Sequence, residues 1–211
     1  GVQADLIEAR LRADAAHQIK AVCVVHNETS TGVTSDIAAV RAAIDRCQHP
    51  ALLMVDTISG LAGADYRHDE WGVDVSISGS QKGLMLPPGI SFNALSPKAI
   101  QASKHARMPK SFWAWDEMIE MNKTGYWPYT PNTNLLYGLS ESCDMLLGEG
   151  LDQVFARHQR WAAGARAVAL GADPRARGER RVARRGAGAE RECEGKEHTL
   201  RITRSAAARR T

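Results

Sequence analysis

The chain has 211 residues, 44% hydrophobic, 24% charged and 6% aromatic, a balance that excludes collagen, coiled coil and wholesale disorder. Its net charge of +3 divides unevenly: residues 1–170 hold 15 Lys+Arg against 18 Asp+Glu, and residues 171–211 hold 12 against 6. The basic excess therefore belongs to the tail and says nothing about the partners of the main body. No run approaches the ~18 uninterrupted apolar residues of a membrane span, and the first residues carry no basic-then-apolar signal pattern. Cys23, Cys47, Cys143 and Cys193 lack the CxxC spacing of a structural zinc site or a disulfide framework. A soluble protein of a reducing cytoplasm, without a membrane partner, is expected.

In chain order, Ala4 to Arg12 sets Leu6, Ile7 and Leu11 on one helical stripe, and Ile19 to Val25 is a short run rich in β-branched residues. Ser35 is a candidate N-cap for a helix whose Ile37, Val40, Ala43 and Ile44 share a face. Ala51 to Val55, Val73 to Ile77 and Ile90 to Leu95 are three further strand candidates, the last followed by a helix from Ser96 with Pro97 in its first turn. Near-continuous apolar strands alternating with helices predict an α/β fold, a mostly parallel sheet with helices on both faces. In such sheets chemistry gathers beyond the carboxyl ends of the strands. Here those loops are 26–34, 56–63 and 78–88, all rich in small and polar residues.

From Lys110 the pattern changes. Phe112, Trp113, Trp115 and Met118 suggest an aromatic-anchored helix, and 125–131 reads as a loop. Leu135, Leu136, Leu139, Leu146 and Leu147 lie on a helix ended by Gly148 and Gly150, and another helix runs from about Leu151 to Leu170. Beyond Gly171 the chain has no aromatic residue and only Val182, Leu200 and Ile202 among its Val, Ile and Leu. Such a segment buries too little apolar area to offset its ordering entropy, so disorder is expected there. Three regions follow: 1–109, 110–170 as a helical segment, and 171–211 as a basic low-complexity tail, disordered or non-native.

Chemistry concentrates in the first region. Ser78-Gly79-Ser80-Gln81-Lys82-Gly83 leads into Pro87-Pro88-Gly89. A lysine at the end of a buried strand, among glycines and hydroxyls, suits a Schiff-base nucleophile, whose amine must be desolvated or otherwise activated. The phosphate-loop order GxxxxGK[ST] is absent, and a plain surface lysine in a turn is the alternative. Asp56 ends an apolar strand, where an unpaired carboxylate is costly unless a cation waits nearby. A protonated pyridine nitrogen would be such a cation; an N-cap or turn role is the alternative. The loop His26-Asn27-Glu28-Thr29-Ser30-Thr31-Gly32 adds hydroxyls and amides able to hold a phenolate or phosphate oxygen.

Together with Val55-Asp56-Thr57-Ile58-Ser59-Gly60-Leu61-Ala62-Gly63 and Leu84, these stretches resemble the class V pyridoxal-phosphate aminotransferases. Within that group they are most similar to the serine–glyoxylate and alanine–glyoxylate enzymes. The resemblance implies the large domain of the type I fold and pyridoxal 5'-phosphate as cofactor. It implies that Lys82 binds the cofactor as a Schiff base and shuttles the proton, that Asp56 pairs with the pyridinium, and that Ile58 packs on one ring face. Thr29 would hydrogen-bond the phenolic oxygen and Gln81 would contact the phosphate. In Gly125-Tyr126-Trp127-Pro128-Tyr129-Thr130-Pro131, Thr130 matches the residue that reaches across a homodimer to the neighbour's phosphate. For that segment a Pro-rich turn stacked by aromatics is the alternative reading.

The likeness covers about Gly1 to Leu170. By the same resemblance, an amino-terminal phosphate loop with an aromatic ring-stacker and a smaller carboxy-terminal domain with a substrate-carboxylate arginine fall outside this chain. Leu200-Arg201-Ile202 is similar to that arginine's stretch but comes some thirty residues too early, and the tail is read as a reading-frame error or non-native extension. The seven histidines show no ligand spacing, so no metal is assigned. The tail lacks interleaved aromatics and is interrupted by glutamates, so no nucleic-acid partner is expected. The expected activity is transamination from serine to glyoxylate, on small amino-acid and 2-oxo-acid substrates. An alanine–glyoxylate enzyme and a catalytically incompetent fragment are the competing readings.

Overall fold

The computed structural model describes residues 1–172 and 200–204. At its centre three strands run parallel: β1 (Ile19–Val25), β2 (Leu52–Asp56) and β3 (Val75–Gly79). Two antiparallel strands flank them, β4 (Ser91–Leu95) beside β3 and β5 (Leu200–Arg204) beside β1, giving the order β4-β3-β2-β1-β5. The register Val25↔Asp56↔Ile77 aligns the carboxyl ends of the parallel strands. Each of the three polar loops therefore leaves the same edge of the sheet.

The amino-terminal half closes its own core. Helix α1 (Ala4–Arg12) buries Ile7 and Leu11 and leaves Leu6 outside, while Glu8 pairs with Arg12 one turn on. Helix α2 (Ile37–Arg46) buries Ile37, Val40, Ala43 and Ile44, the face that the spacing predicts. Its N-cap is Asp36, whose carboxylate accepts the Ala39 amide, rather than Ser35. Ser35 is buried and otherwise engaged: its Oγ accepts the Val2 amide and its own amide donates to the His26 carbonyl. With Ile19, Val22, Val24, Leu53, Val55 and Val73, these side chains form one contiguous core. Asp74 sits at the start of β3, buried, accepting the Leu53 amide and the Ser96 hydroxyl, with Arg41 at 3.7 Å and Lys98 at 3.6 Å. A buried carboxylate so satisfied fixes where β3 enters the sheet.

Helix α3 (Pro97–Lys104) follows its Ser96 cap with Pro97 in the first turn. Helix α4 (Trp115–Lys123) buries none of its residues: Trp115 and Met118 are half-buried and Phe112 and Trp113 before it are exposed, so the expected aromatic anchor is partial. Helices α5 (Thr133–Glu149) and α6 (Leu151–Ala172) meet at Gly150, whose φ of 84° is a conformation glycine adopts freely. A smaller cluster of Ala62, Leu84, Leu146 and Val154 joins them to the loops of the sheet.

The expectation of a structureless tail needs correction at one place. Residues 200–204 form β5, antiparallel to β1. The stretch holds two of the tail's three branched aliphatics, and β1 would otherwise present an open edge. The remainder of the expected tail, 173–199 and 205–211, lies outside the described residues. Among the described residues no helix is long and apolar enough to cross a membrane, and no cluster of His, Cys, Asp and Glu could hold a metal.

Candidate active site

The site is assembled by contacts between neighbouring loops. At the end of β1 the His26 amide donates to the Asp56 carbonyl at 2.9 Å, and at the end of β2 the Thr57 amide donates to the Ile77 carbonyl at 2.8 Å. Thr57 is buried, and its hydroxyl donates to the same Ile77 carbonyl. Beyond it the chain turns tightly, with the Gly60 and Leu61 amides donating to the Thr57 carbonyl.

Asp56 is half-buried. Its Oδ1 accepts the Ile58 amide at 2.9 Å, so the turn role weighed for it is real. That bond also orients the carboxylate, leaving Oδ2 free of hydrogen bonds among the described residues. Ile58 and Ser59 are half-buried beside it, and the Ser59 hydroxyl lies 2.6 Å from the Thr29 hydroxyl of the first loop. Composition of the second loop included Ser59, yet the sequence alone did not mark it as a partner of Thr29.

The lysine loop is held just as firmly. Ser80 is fully buried; its hydroxyl donates to the Pro87 carbonyl and accepts the Ile90 amide, closing residues 80–90 into a hairpin. Gln81 and Lys82 stand exposed at its start, directly after Ser80. The desolvation expected for the lysine is thus not supplied by the described residues, which leave its side chain exposed. Gly83 anchors the hairpin to the second loop: a Cβ there would lie 2.1 Å from the Leu61 carbonyl oxygen. No side chain fits in that contact. Ala62, against which Gly83 also packs, and Met85 both have φ of 60°, a left-handed backbone costing about 1–3 kcal/mol that the surrounding contacts must hold.

Helix α5 backs the hairpin. Ser142, buried, donates to the Leu84 carbonyl at 2.6 Å. Gly138 admits Leu86, and Gly89 lies against Leu135. Five of the candidate residues, Thr29, Asp56, Ile58, Gln81 and Lys82, therefore lie on three loops at one edge of the sheet, bound to one another through Gly60 and Gly83. Thr130 is not brought to them within one chain. It is exposed in the 125–131 loop, which surrounds its own open concavity, while the adjacent Tyr129 packs on Phe112 and donates to Glu117. Burial and that carboxylate push the Tyr129 hydroxyl pKa up.

Under the first two loops lies a buried aromatic group. The His26 ring is 1% exposed and packs against Tyr66 and Trp71. Burial pushes its pKa down, with Asp65 acting in the opposite direction. Tyr66 hydrogen-bonds Ser76, which also meets His68, and burial pushes its hydroxyl up to about 12.

The residues present fit pyridoxal phosphate by the chemistry of their donor set. An amine without an ion pair among the described residues, an oriented carboxylate, a hydroxyl pair and an exposed amide share one edge of the sheet. Comparison with known proteins agrees. The aminotransferase class-V family model matches residues 3–172. The chain belongs to the class-V aminotransferases.

It is 53% identical over 170 residues to a serine–glyoxylate aminotransferase of Hyphomicrobium methylovorum, covering 80% of this chain and 42% of that one. With an L-aspartate–glyoxylate aminotransferase of Paracoccus denitrificans (strain Pd 1222) it shares 52% identity over 168 residues, again 80% and 42%. The crystal structure of an alanine–glyoxylate aminotransferase from Nostoc sp. superposes with a TM-score of 0.65 at 31% identity, over 75% of this chain and 42% of that one. The chain thus spans about two-fifths of the length of these relatives. Class-V aminotransferases are pyridoxal-phosphate enzymes of the type I fold, and the sheet described above is a part of that large domain.

Proposed function

We propose that this chain carries the lysine-bearing part of a glyoxylate-dependent aminotransferase that moves an amino group from serine to glyoxylate, giving hydroxypyruvate and glycine. The observation that carries the reading is the seating of Gly83 on the Leu61 carbonyl, which holds the Lys82 hairpin against the loop of Asp56 and Ile58. When bound, pyridoxal phosphate supplies the electron sink for the amino acid's α-carbon. Lys82 Nζ would hold the cofactor covalently at rest and would carry the proton to and from the substrate carbon. The Asp56 carboxylate, aimed by the Ile58 amide, keeps the proton on the ring nitrogen. Ile58 would pack on one ring face, the Thr29 hydroxyl, shared with Ser59, would donate to the phenolic oxygen, and the Gln81 amide would bind the phosphate. In a homodimer, Thr130 reaches the phosphate of the partner's site. The free thiols of Cys47 and Cys143 suit a reducing, cytoplasmic setting.

Both serine–glyoxylate and L-aspartate–glyoxylate enzymes are similar to the chain at about the same identity, so glyoxylate as acceptor rests on firmer ground than serine as donor. The test adds pyridoxal phosphate to the full chain, reduces with borohydride and maps the labelled peptides. An adduct confined to Lys82 is expected. Labelling scattered over exposed lysines would overturn the assignment. Glycine formation from glyoxylate with serine, alanine and aspartate in turn then ranks the donors.

A further inference from the structure

The His26 ring has no part in the chemistry assigned above, yet it touches the element that bears much of it. It is almost wholly buried, and its Nδ1 has no hydrogen-bond partner. A neutral ring nitrogen left unpaired in the interior is costly, and beside the ring's hydrogen bond to the Asp65 main chain something more holds it there. That something is shape. A Cβ on Gly60 would lie 2.4 Å from Nδ1 and 3.1 Å from Cε1, so the glycine backbone rests directly on the ring. Tyr66 and Trp71 also pack on the ring, with centroids 5.1 and 6.3 Å away.

We propose that His26 is a positioning residue for the cofactor site, setting through Gly60 the height of the 57–60 turn. The proposal rests on the pyridoxal-phosphate reading of that site. Two contacts follow from the height of the turn. The Ile58 amide aims the Asp56 carboxylate, and the Ser59 hydroxyl holds the Thr29 hydroxyl. One buried ring thus governs both the group that faces the ring nitrogen and the group that faces the phenolic oxygen. The main chain of His26 ties the same elements, its amide bonding the Asp56 carbonyl and its carbonyl accepting the Ser35 amide. The side chain adds what the main chain cannot, a fixed thickness between β1 and the turn.

The experiment is a cycle of Gly60→Ala, His26→Ser and the two combined in the full chain, read by pyridoxal-phosphate titration and by borohydride trapping at Lys82. The pH midpoint of the bound cofactor's absorbance is followed alongside, because it responds to where Asp56 points and not to stability. Gly60→Ala alone should weaken cofactor binding about tenfold or more and move that midpoint. His26→Ser alone should move the midpoint as well, with the circular dichroism of the fold retained. In the double variant the new methyl enters the space left by imidazole, so affinity should return to within about threefold of the parent. Two results would overturn the proposal while leaving the cofactor reading intact: parental binding by Gly60→Ala, or a double variant no better than the worse single one. Failure of the parent chain to trap the cofactor at Lys82 would instead remove the reading on which the proposal stands, and the proposal with it.

Discussion

In residues 1–105 most of the large apolar side chains face inward, whereas in residues 106–172 many face outward. Ile7, Ile37, Ile44, Leu53, Val22 and Val55 are essentially sealed from solvent. Trp113, Tyr137, Leu147 and Trp161 are each 68% exposed or more, and α4 buries nothing. The α/β half thus folds around its own core and builds the edge that carries Asp56 and Lys82. The helical half is anchored at few points, chiefly through Ser142, Leu146 and Val154. Exposed apolar groups in such number mark protein contact surface, and the proposed homodimer is what would cover them.

The comparison separates residues kept for chemistry from residues kept for folding, and Lys82 gives the largest expected effect. It is exposed and enters no ion pair among the described residues, so Lys82→Ala should leave the melting curve within about 0.5 kcal/mol of the parent. Transamination should fall by at least about 10²–10⁴-fold, the scale of a lost proton-transfer group, and cofactor trapping to background. A comparable loss of stability would make the lysine structural. Next in size, Leu53→Ala in the sealed half should cost about 2–5 kcal/mol by denaturant titration, from lost burial and the cavity left behind. Trp161→Ala in the helical half, measured on the unpaired chain, should cost only about 0.5–1 kcal/mol, the worth of its exposed contact with the Arg157 guanidinium. Equal costs would break the contrast between the halves.

Ser142→Ala probes the joint between them. Its hydroxyl supplies a buried donor to the Leu84 carbonyl, and leaving that carbonyl unpaired should cost about 1–3 kcal/mol. Because Leu84 follows the Lys82–Gly83 pair, cofactor affinity should fall with stability; an unchanged affinity would show that the hairpin stands without α5.

Much of this contrast was legible in the sequence, and the reason differs by region. The inward stripe of α2 and the apolar runs of β1 and β2 have one consistent period, so local pattern and tertiary burial agree. The loops at the carboxyl ends could be placed because parallel strands leave few alternatives. Burial of Ser35 could not be read, since its competition with Asp36 for the cap is decided by the distant Val2 amide. The same holds for Gly60 and Gly83, whose contacts with His26 and Leu61 join residues 34 and 22 positions apart. Phe112 and Trp113 misled in the opposite way: aromatic residues signal burial, but among the described residues both stand exposed.

The smallest expected effect is a slope rather than a level, and it belongs to His26. Its ring sits among Tyr66, Trp71 and Gly60, with Asp65 the nearest opposing charge, and burial holds its pKa below the ordinary imidazole value of 6.5. Above that value neither the folded nor the unfolded chain carries the proton, and the ring's full contribution is present. As pH falls through it, the unfolded chain takes up a proton that the folded chain refuses, so stability is lost on the acid side. The lowered carboxylates, Glu8 and Asp14 among them, act in the same direction but through the lower carboxylate range, so they do not share this window. Melting the parent and His26→Gln from about pH 7 to about pH 5 should therefore give curves whose difference narrows as pH falls. The glutamine variant is expected to be less stable at the neutral end and to lose less on acidification, because it has no proton to accept. Parallel curves would mean that the folded chain admits the proton, and that the space under Gly60 is not as closed as the ring's burial indicates.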